Sequence, residues 1–260
     1  MNDSLCMPQA GFSCFACCPP IRPAGYEHLA DRGSWRRMFA ENRADFLAGR
    51  LPAKPQTGFF CPGLGFLDKA GRRVGCLLHP AANQGRDLRG PTGYRDKCER
   101  ESCPESRAYA ALPPAEGAAL MKLCQGLDPF QFSSSAQNPV RRLLAFGPPV
   151  AAAAAGLGLT ARDELASWPW LHELDSAHGW LLGRLVKRDG AKLLRRSDLL
   201  ELLAAETGKL ARQMGPSPPL EQGPPLRELC GEWEARFWLA LGGRRRARSA
   251  ELAAWRALTA

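Results

Sequence analysis

The stretch Ser13-Cys-Phe-Ala-Cys-Cys-Pro-Pro20 sets three thiols, Cys14, Cys17 and Cys18, within five residues and closes on two prolines. Further thiols follow at wider spacing: Cys61-Pro, then Cys76 with His79-Pro three residues on, then Cys98 and Cys103-Pro. Clustered cysteines in a chain with no readable secretory leader are metal ligands or redox groups more often than disulfide halves, because a reducing compartment does not preserve disulfides. The first residues, Met1 to Cys6, carry an acidic group and neither a basic nor an apolar leader segment, so the expected compartment is the cytoplasm.

The candidate metal ligands are therefore Cys14, Cys17, Cys18, Cys61, Cys76, His79, Cys98 and Cys103. Seven thiols and one imidazole match two closed tetrahedral zinc sites of four donors each. They match equally an iron–sulfur cluster held by four cysteines, with the remaining thiols structural or catalytic. Adjacent residues of an extended chain point to opposite sides, so Cys17 and Cys18 are poorly suited to one ion. Cys18, Cys61, His79 and Cys103 each precede a proline, which fixes a turn from which a ligand can project. The cysteine excess and the Cys-Pro steps tilt the expectation toward iron–sulfur over zinc. Cys124 and Cys230, inside helical patterns, read as buried apolar thiols, and the isolated Cys6 is left out of the set.

Cys14-x2-Cys17-Cys18, Cys61-Pro62-x-Leu64 with Asp68, Cys76 in a hydrophobic turn leading to Pro80, and Cys98 together resemble the YkgJ-type cysteine-cluster family, described as zinc- or iron-chelating domains. The resemblance spans about ninety residues and implies metal binding by Cys14, Cys17, Cys18, Cys61, Cys76 and Cys98. The chain departs from the family in lacking one leading CxxC step and in carrying Leu78 and His79-Pro80 where a Tyr and an Arg-Pro are usual. The Cys98–Cys103 pair looks like an addition to the family's pattern.

Composition changes near residue 110. Before it Gly, Pro and Cys recur every few residues; after it long Leu/Ala-rich stretches take over. The expected fold is mainly α with a Cys-rich, metal-organised module containing a short β-hairpin. Residues 1–110 form the cysteine-cluster module and 111–260 a helical domain, with a Pro-rich connector at 216–225. Within the module Tyr26–Leu47 has a helical apolar face, and two β-type runs around Lys69-Ala-Gly-Arg predict a hairpin carrying Cys61 on one arm and Cys76 on the other. The module holds few large apolar residues, so metal binding is expected to contribute to its folding. Downstream helices are expected at Pro114–Leu127, from Ala161 behind a Thr160 cap with Glu164 in a capping box, at Ser197–Met214, and at 226–241 and 247–258.

The formal charge is +9, with 28 arginines against 7 lysines, which reads as the imprint of a GC-rich bacterial genome as much as a phosphate-binding device. Several motifs are set aside. His172 and His178 stand six apart rather than the four of a zinc-protease helix. No C-x3-C-x2-C run of a radical-SAM cluster occurs, and the Gly-Leu-Gly segments lack a dinucleotide fingerprint's context. Arg244–Arg248 is a cationic helix junction, and Trp168, Trp170 and Trp180 read as packing residues.

The expected function is metal binding through the Cys-rich site, redox or catalytic in use, with loop residues Arg86, Asp87, Arg89 and Tyr94 beside an open coordination position. The alternative is a structural zinc module supporting a helical domain that binds a protein or nucleic acid. No partner is identified by the sequence; a protein fits better than nucleic acid. No apolar run reaches membrane-spanning length.

Overall fold

A computed structural model describes residues 4–6, 12–16, 32–50, 61–100, 102–213 and 223–258. The fold is mainly helical, with a single two-stranded antiparallel hairpin among the described residues. The chain divides into two compact units, residues 1–141 and 142–260.

In the first unit, α1 (Arg32–Leu47) buries Trp35 and Phe39; the expected start of this helix, residues 26–31, lies outside the described residues. The hairpin pairs β1 (Leu64–Phe66) with β2 (Val74–Cys76), Leu64 opposite Cys76 and Phe66 opposite Val74. Its turn is closed by Asp68, whose carboxylate accepts from the Arg72 and Arg73 N–H groups at 3.0 and 2.9 Å. Burial works against the Asp68 charge, but these backbone donors and Arg72 outweigh it and hold its pKa below the usual carboxylate value. A two-stranded hairpin is marginal alone, and α1 completes it. Asn42 donates to the Leu64 carbonyl at 2.7 Å and Arg43 to the Phe66 carbonyl at 2.9 Å, satisfying the outer edge of β1. Gly65 permits this approach, since a Cβ there would stand 3.0 Å from the Phe39 carbonyl oxygen.

Five short helices follow: α2 (Arg95–Arg100), α3 (Pro104–Ala110), α4 (Pro114–Leu123), α5 (Pro129–Ser133) and α6 (Pro139–Ala145). The last four each open on a proline, whose missing N–H and preset φ suit a first turn. The expected shortage of large apolar residues is corrected here. Phe15, Trp35, Phe39, Phe66 and Phe130 form one aromatic core with Leu64, Val74, Leu78 and Tyr94. Phe130 comes from beyond residue 110, so the compositional shift does not coincide with the structural division; α3, α4 and α5 belong to the first unit.

The second unit contains α7 (Pro148–Ala155), α8 (Arg162–Ala166), α9 (Pro169–Glu173), α10 (Gly179–Asp189), α11 (Leu199–Gln213), α12 (Leu226–Leu229), α13 (Glu232–Ala240) and α14 (Ser249–Ala257). Central α10 packs on α7 and α13. Gly179 is required there, because a Cβ would meet the Phe146 carbonyl oxygen at 2.2 Å. The α11 face buries Leu199, Leu203 and Leu210. Trp168 and Trp170 are buried, and Trp180 stacks on Trp255 with centroids 4.5 Å apart. Two expectations change. The cap of α8 is Ala161, which has no side chain to accept, rather than Thr160. The expected helix over 226–241 breaks into α12 and α13, with Cys230 in an extended conformation between them. Of the Pro-rich connector, residues 216–222 lie outside the described residues. No described helix is long and apolar enough to cross a membrane.

Candidate metal centre

The aromatic core dictates where the first thiol goes. Phe12 stacks on Phe132 with centroids 5.1 Å apart, and Phe15 packs edge-on against Phe39 and Phe130 at 5.4 and 5.5 Å. The Phe15 N–H donates to Ser133 Oγ at 3.0 Å. This short extended segment is therefore anchored on both sides of Cys14. The Cys14 N–H donates to the Cys6 carbonyl at 2.9 Å, which brings Cys6 alongside.

The hairpin supplies the next two thiols. Cys61 accepts from the Leu64 N–H through its carbonyl and precedes β1; Cys76 ends β2 in register with Leu64. Cys98 comes from α2, whose first turn is tied to Tyr94, a buried core residue. Cys6, Cys14, Cys61, Cys76 and Cys98 together line one cavity of about 430 Å³, joined by His79, Arg89 and Arg107. A water molecule occupies roughly 30 Å³ of liquid, so the space takes a group much larger than one ion. As placed, no three Cys, His, Asp or Glu side chains among the described residues converge at the spacing of a single bound ion. Cys17 and Cys18 lie outside the described residues. Cys103 does not line the cavity; it caps the start of α3, and its thiol bonds Glu105.

The electrostatics follow from burial. Burial pushes the Cys76 thiol up to about 12, reinforced by Cys61 and Cys98 nearby and opposed by the Leu78 N–H and Arg89. Asp87 fixes Arg89 through two bonds, Nε to Oδ1 and Nη2 to Oδ2, both 2.9 Å. That bidentate contact, against a smaller opposing effect of burial, drops the Asp87 pKa to about 2. Of the loop residues expected near the site, Arg89 reaches the cavity and Asp87 aims it, while Tyr94 belongs to the core and Arg86 is exposed.

His79 has a contact of its own in the turn that follows it. Its Nδ1 accepts from the Ala81 N–H at 3.1 Å, capping the 3-10 turn Pro80–Ala82. Burial and, to a lesser degree, Arg89 lower its pKa, which favours the neutral ring. A neutral ring accepting at Nδ1 carries its proton on Nε2, so the Nδ1 lone pair is engaged by the backbone.

Beyond the residues picked out in sequence stands a buried pair. Arg141, 3% exposed, donates to Cys14 Sγ and to Glu105 Oε1, each at 3.0 Å. Burial disfavours both charges. The Glu105 carboxyl is nevertheless held below its usual value by Arg141, its own N–H and Cys103. Arg141 is likewise held above its own by Cys14, Glu105 and Cys103. No sequence signal separates Arg141 from its neighbour Arg142. Cys6 could have been included, since the thiol-rich N-terminal segment contains it.

A cavity of similar size, about 440 Å³, lies in the second unit between Phe146, Pro149, Trp180 and Trp233; it contains no thiol. No known protein family, curated protein or solved structure matches this chain.

Proposed function

We propose that the first unit holds a metal centre in its cysteine cavity, an iron–sulfur cluster bound by Cys14, Cys61, Cys76 and Cys98. The observation that carries this reading is the arrival of five thiols, from the N-terminal segments, the hairpin and α2, at one cavity. Four cysteines are the usual complement of such a cluster, which leaves Cys6 as an additional thiol on the same wall. The resemblance to YkgJ-type cysteine-cluster proteins implies metal binding by six cysteines that include these four, which is in keeping with the assignment.

The donor chemistry fits. His79 Nδ1 is engaged by the Ala81 N–H, which supports an all-sulfur centre over a Cys3His zinc site. Arg89, Arg107 and Arg141 set positive charge around sulfurs that are thiolates when they ligate. When bound, the cluster would supply electron transfer or a Lewis-acidic iron. The chain's own part is to hold the sulfurs, bury them against the aromatic core and compensate their charge. A reducing compartment such as the cytoplasm keeps these thiols available.

A second reading is a structural zinc closed by the same four thiolates, with the helical second unit serving a protein partner. It draws on Cys61 and Cys76, which sit where a closed site would clamp the two strands.

Single substitutions test the ligand set. Cys61→Ser, Cys76→Ser and Cys98→Ser are each expected to lose most bound metal, whereas Cys124→Ser, buried away from the cavity, retains it. Equal metal content in all four variants overturns the assignment.

A further inference from the structure

We propose that Arg141 is a positioning residue of this centre, holding the Cys14 sulfur by a charged hydrogen bond from a guanidinium anchored on Glu105. The proposal rests on the metal reading above and adds a residue from outside the cysteine-rich sequence.

The geometry is specific. One guanidinium nitrogen, Nη1, donates to Cys14 Sγ and the other, Nη2, to Glu105 Oε1, each at 3.0 Å. The backbone places it there. Asn138, fully buried, accepts from the Val140 and Arg141 N–H groups at 3.0 and 3.4 Å and donates to the Phe132 carbonyl at 3.0 Å. That cap starts α6 and fixes Arg141 in its first turn. Glu105 occupies the first turn of α3, where a carboxylate is favoured by the helix dipole.

Folding stability alone does not account for the choice of arginine. A cation in the first turn of a helix opposes the dipole. A buried ion pair is often matched or bettered by apolar residues of similar volume. The Arg141 Nε is also buried without a hydrogen-bond partner among the described residues, a further burden on folding. What the arginine adds is a cationic donor on a thiol that lines the cavity. A hydrogen bond to a ligating sulfur stabilises negative charge on it. The reduced cluster carries more negative charge than the oxidised one, so the bond favours reduction and raises the potential.

The test compares the intact chain with three variants after anaerobic reconstitution with iron and sulfide. These are Arg141→Lys, the charge-neutral pair Arg141→Met/Glu105→Gln, and the exposed control Arg50→Met. Iron and sulfide per chain, the midpoint potential and the unfolding midpoint are measured for each. The paired variant is expected to lower the potential by at least a tenfold shift in the reduction equilibrium, about 59 mV for one electron. It is also expected to release iron about 10–100-fold more readily. Arg141→Lys falls between it and the wild type, and Arg50→Met matches the wild type. An unchanged potential in a folded paired variant overturns the proposal. If that variant does not fold, Arg141→Lys decides by the same criterion.

A wild-type chain that takes up no metal overturns the underlying reading and the proposal with it. Metal uptake with unaltered variants overturns the proposal alone. If the wild type holds zinc, the comparison is made on the cobalt-substituted protein. Its sulfur-to-cobalt charge-transfer band then moves to longer wavelength when the hydrogen bond is lost, and an unmoved band overturns the proposal.

Discussion

Replacing Phe15 by alanine tests how the aromatic core sets the thiol site. Phe15 is 0% exposed and meets Phe39, Phe130 and Trp35 at centroid distances of 5.4, 5.5 and 5.8 Å. Truncating a buried phenylalanine costs about 3–5 kcal/mol through lost transfer energy and the cavity left behind. Three aromatic contacts, each contributing about 0.5–1.5 kcal/mol beyond burial, place this site near the upper end. The expected fall in the unfolding midpoint of the first unit is about 10–20 °C. Phe12→Ala is the internal comparison. Phe12 is partly exposed and stacks on Phe132 alone among the described rings, so its loss is expected to cost about 1 kcal/mol. Urea unfolding followed by circular dichroism, with hydrogen exchange at Leu64–Cys76 reporting on the first unit, gives both values. A Phe15→Ala loss no larger than that of Phe12→Ala refutes the anchoring role assigned to the 12–16 segment.

Other outcomes follow from single contacts. Asn42→Ala removes the 2.7 Å bond to the β1 edge and should lower stability by about 1 kcal/mol, with faster amide exchange confined to the hairpin; unaltered exchange contradicts this. Gly179→Ala forces a Cβ to within 2.2 Å of the Phe146 carbonyl oxygen, and should destabilise the second unit by more than about 1–3 kcal/mol while leaving metal content unchanged; wild-type stability contradicts the close packing described. Asp87, with its folded pKa lowered to about 2, contributes stability that is fully present above its unfolded value of about 3.9 and lost as pH falls toward 2. Because the pair is partly solvated, the loss should be on the order of 1 kcal/mol. Asp87→Asn should remove that part of the acid slope, and an identical slope in the variant counts against the Arg89 contact as its source. Metal removal by a chelator should lower the unfolding midpoint of the first unit and spare the second; equal loss in both contradicts a centre confined to the first.

The helical class and the hairpin were legible because their signals are local. The apolar spacing of Trp35 and Phe39 gives α1, and two β-type runs around Lys69–Arg72 give the strand pair. Boundaries were less legible. Thr160 looks like a cap in sequence, yet the chain enters α8 one residue later, at Ala161. The compositional break near residue 110 misses the division at 141 because Phe130 and Arg141 reach back into the cysteine-rich unit, and sequence distance hides such contacts. Clustering in sequence picks out Cys14, Cys61, Cys76 and Cys98 of the cavity, but it also takes in Cys103, which does not line it, and passes over Cys6, which does. The turn-capping contact of His79 could not be read in sequence, since it depends on Nδ1 meeting the Ala81 N–H two residues on.

The central claim is the sulfur-bound cluster, and the most direct measurement is iron, acid-labile sulfide and zinc per chain on anaerobically purified protein, taken with its absorption spectrum. The account predicts a brown protein with iron and sulfide in equal amounts and little zinc. A colourless protein with stoichiometric zinc, or one with no metal at all, contradicts it.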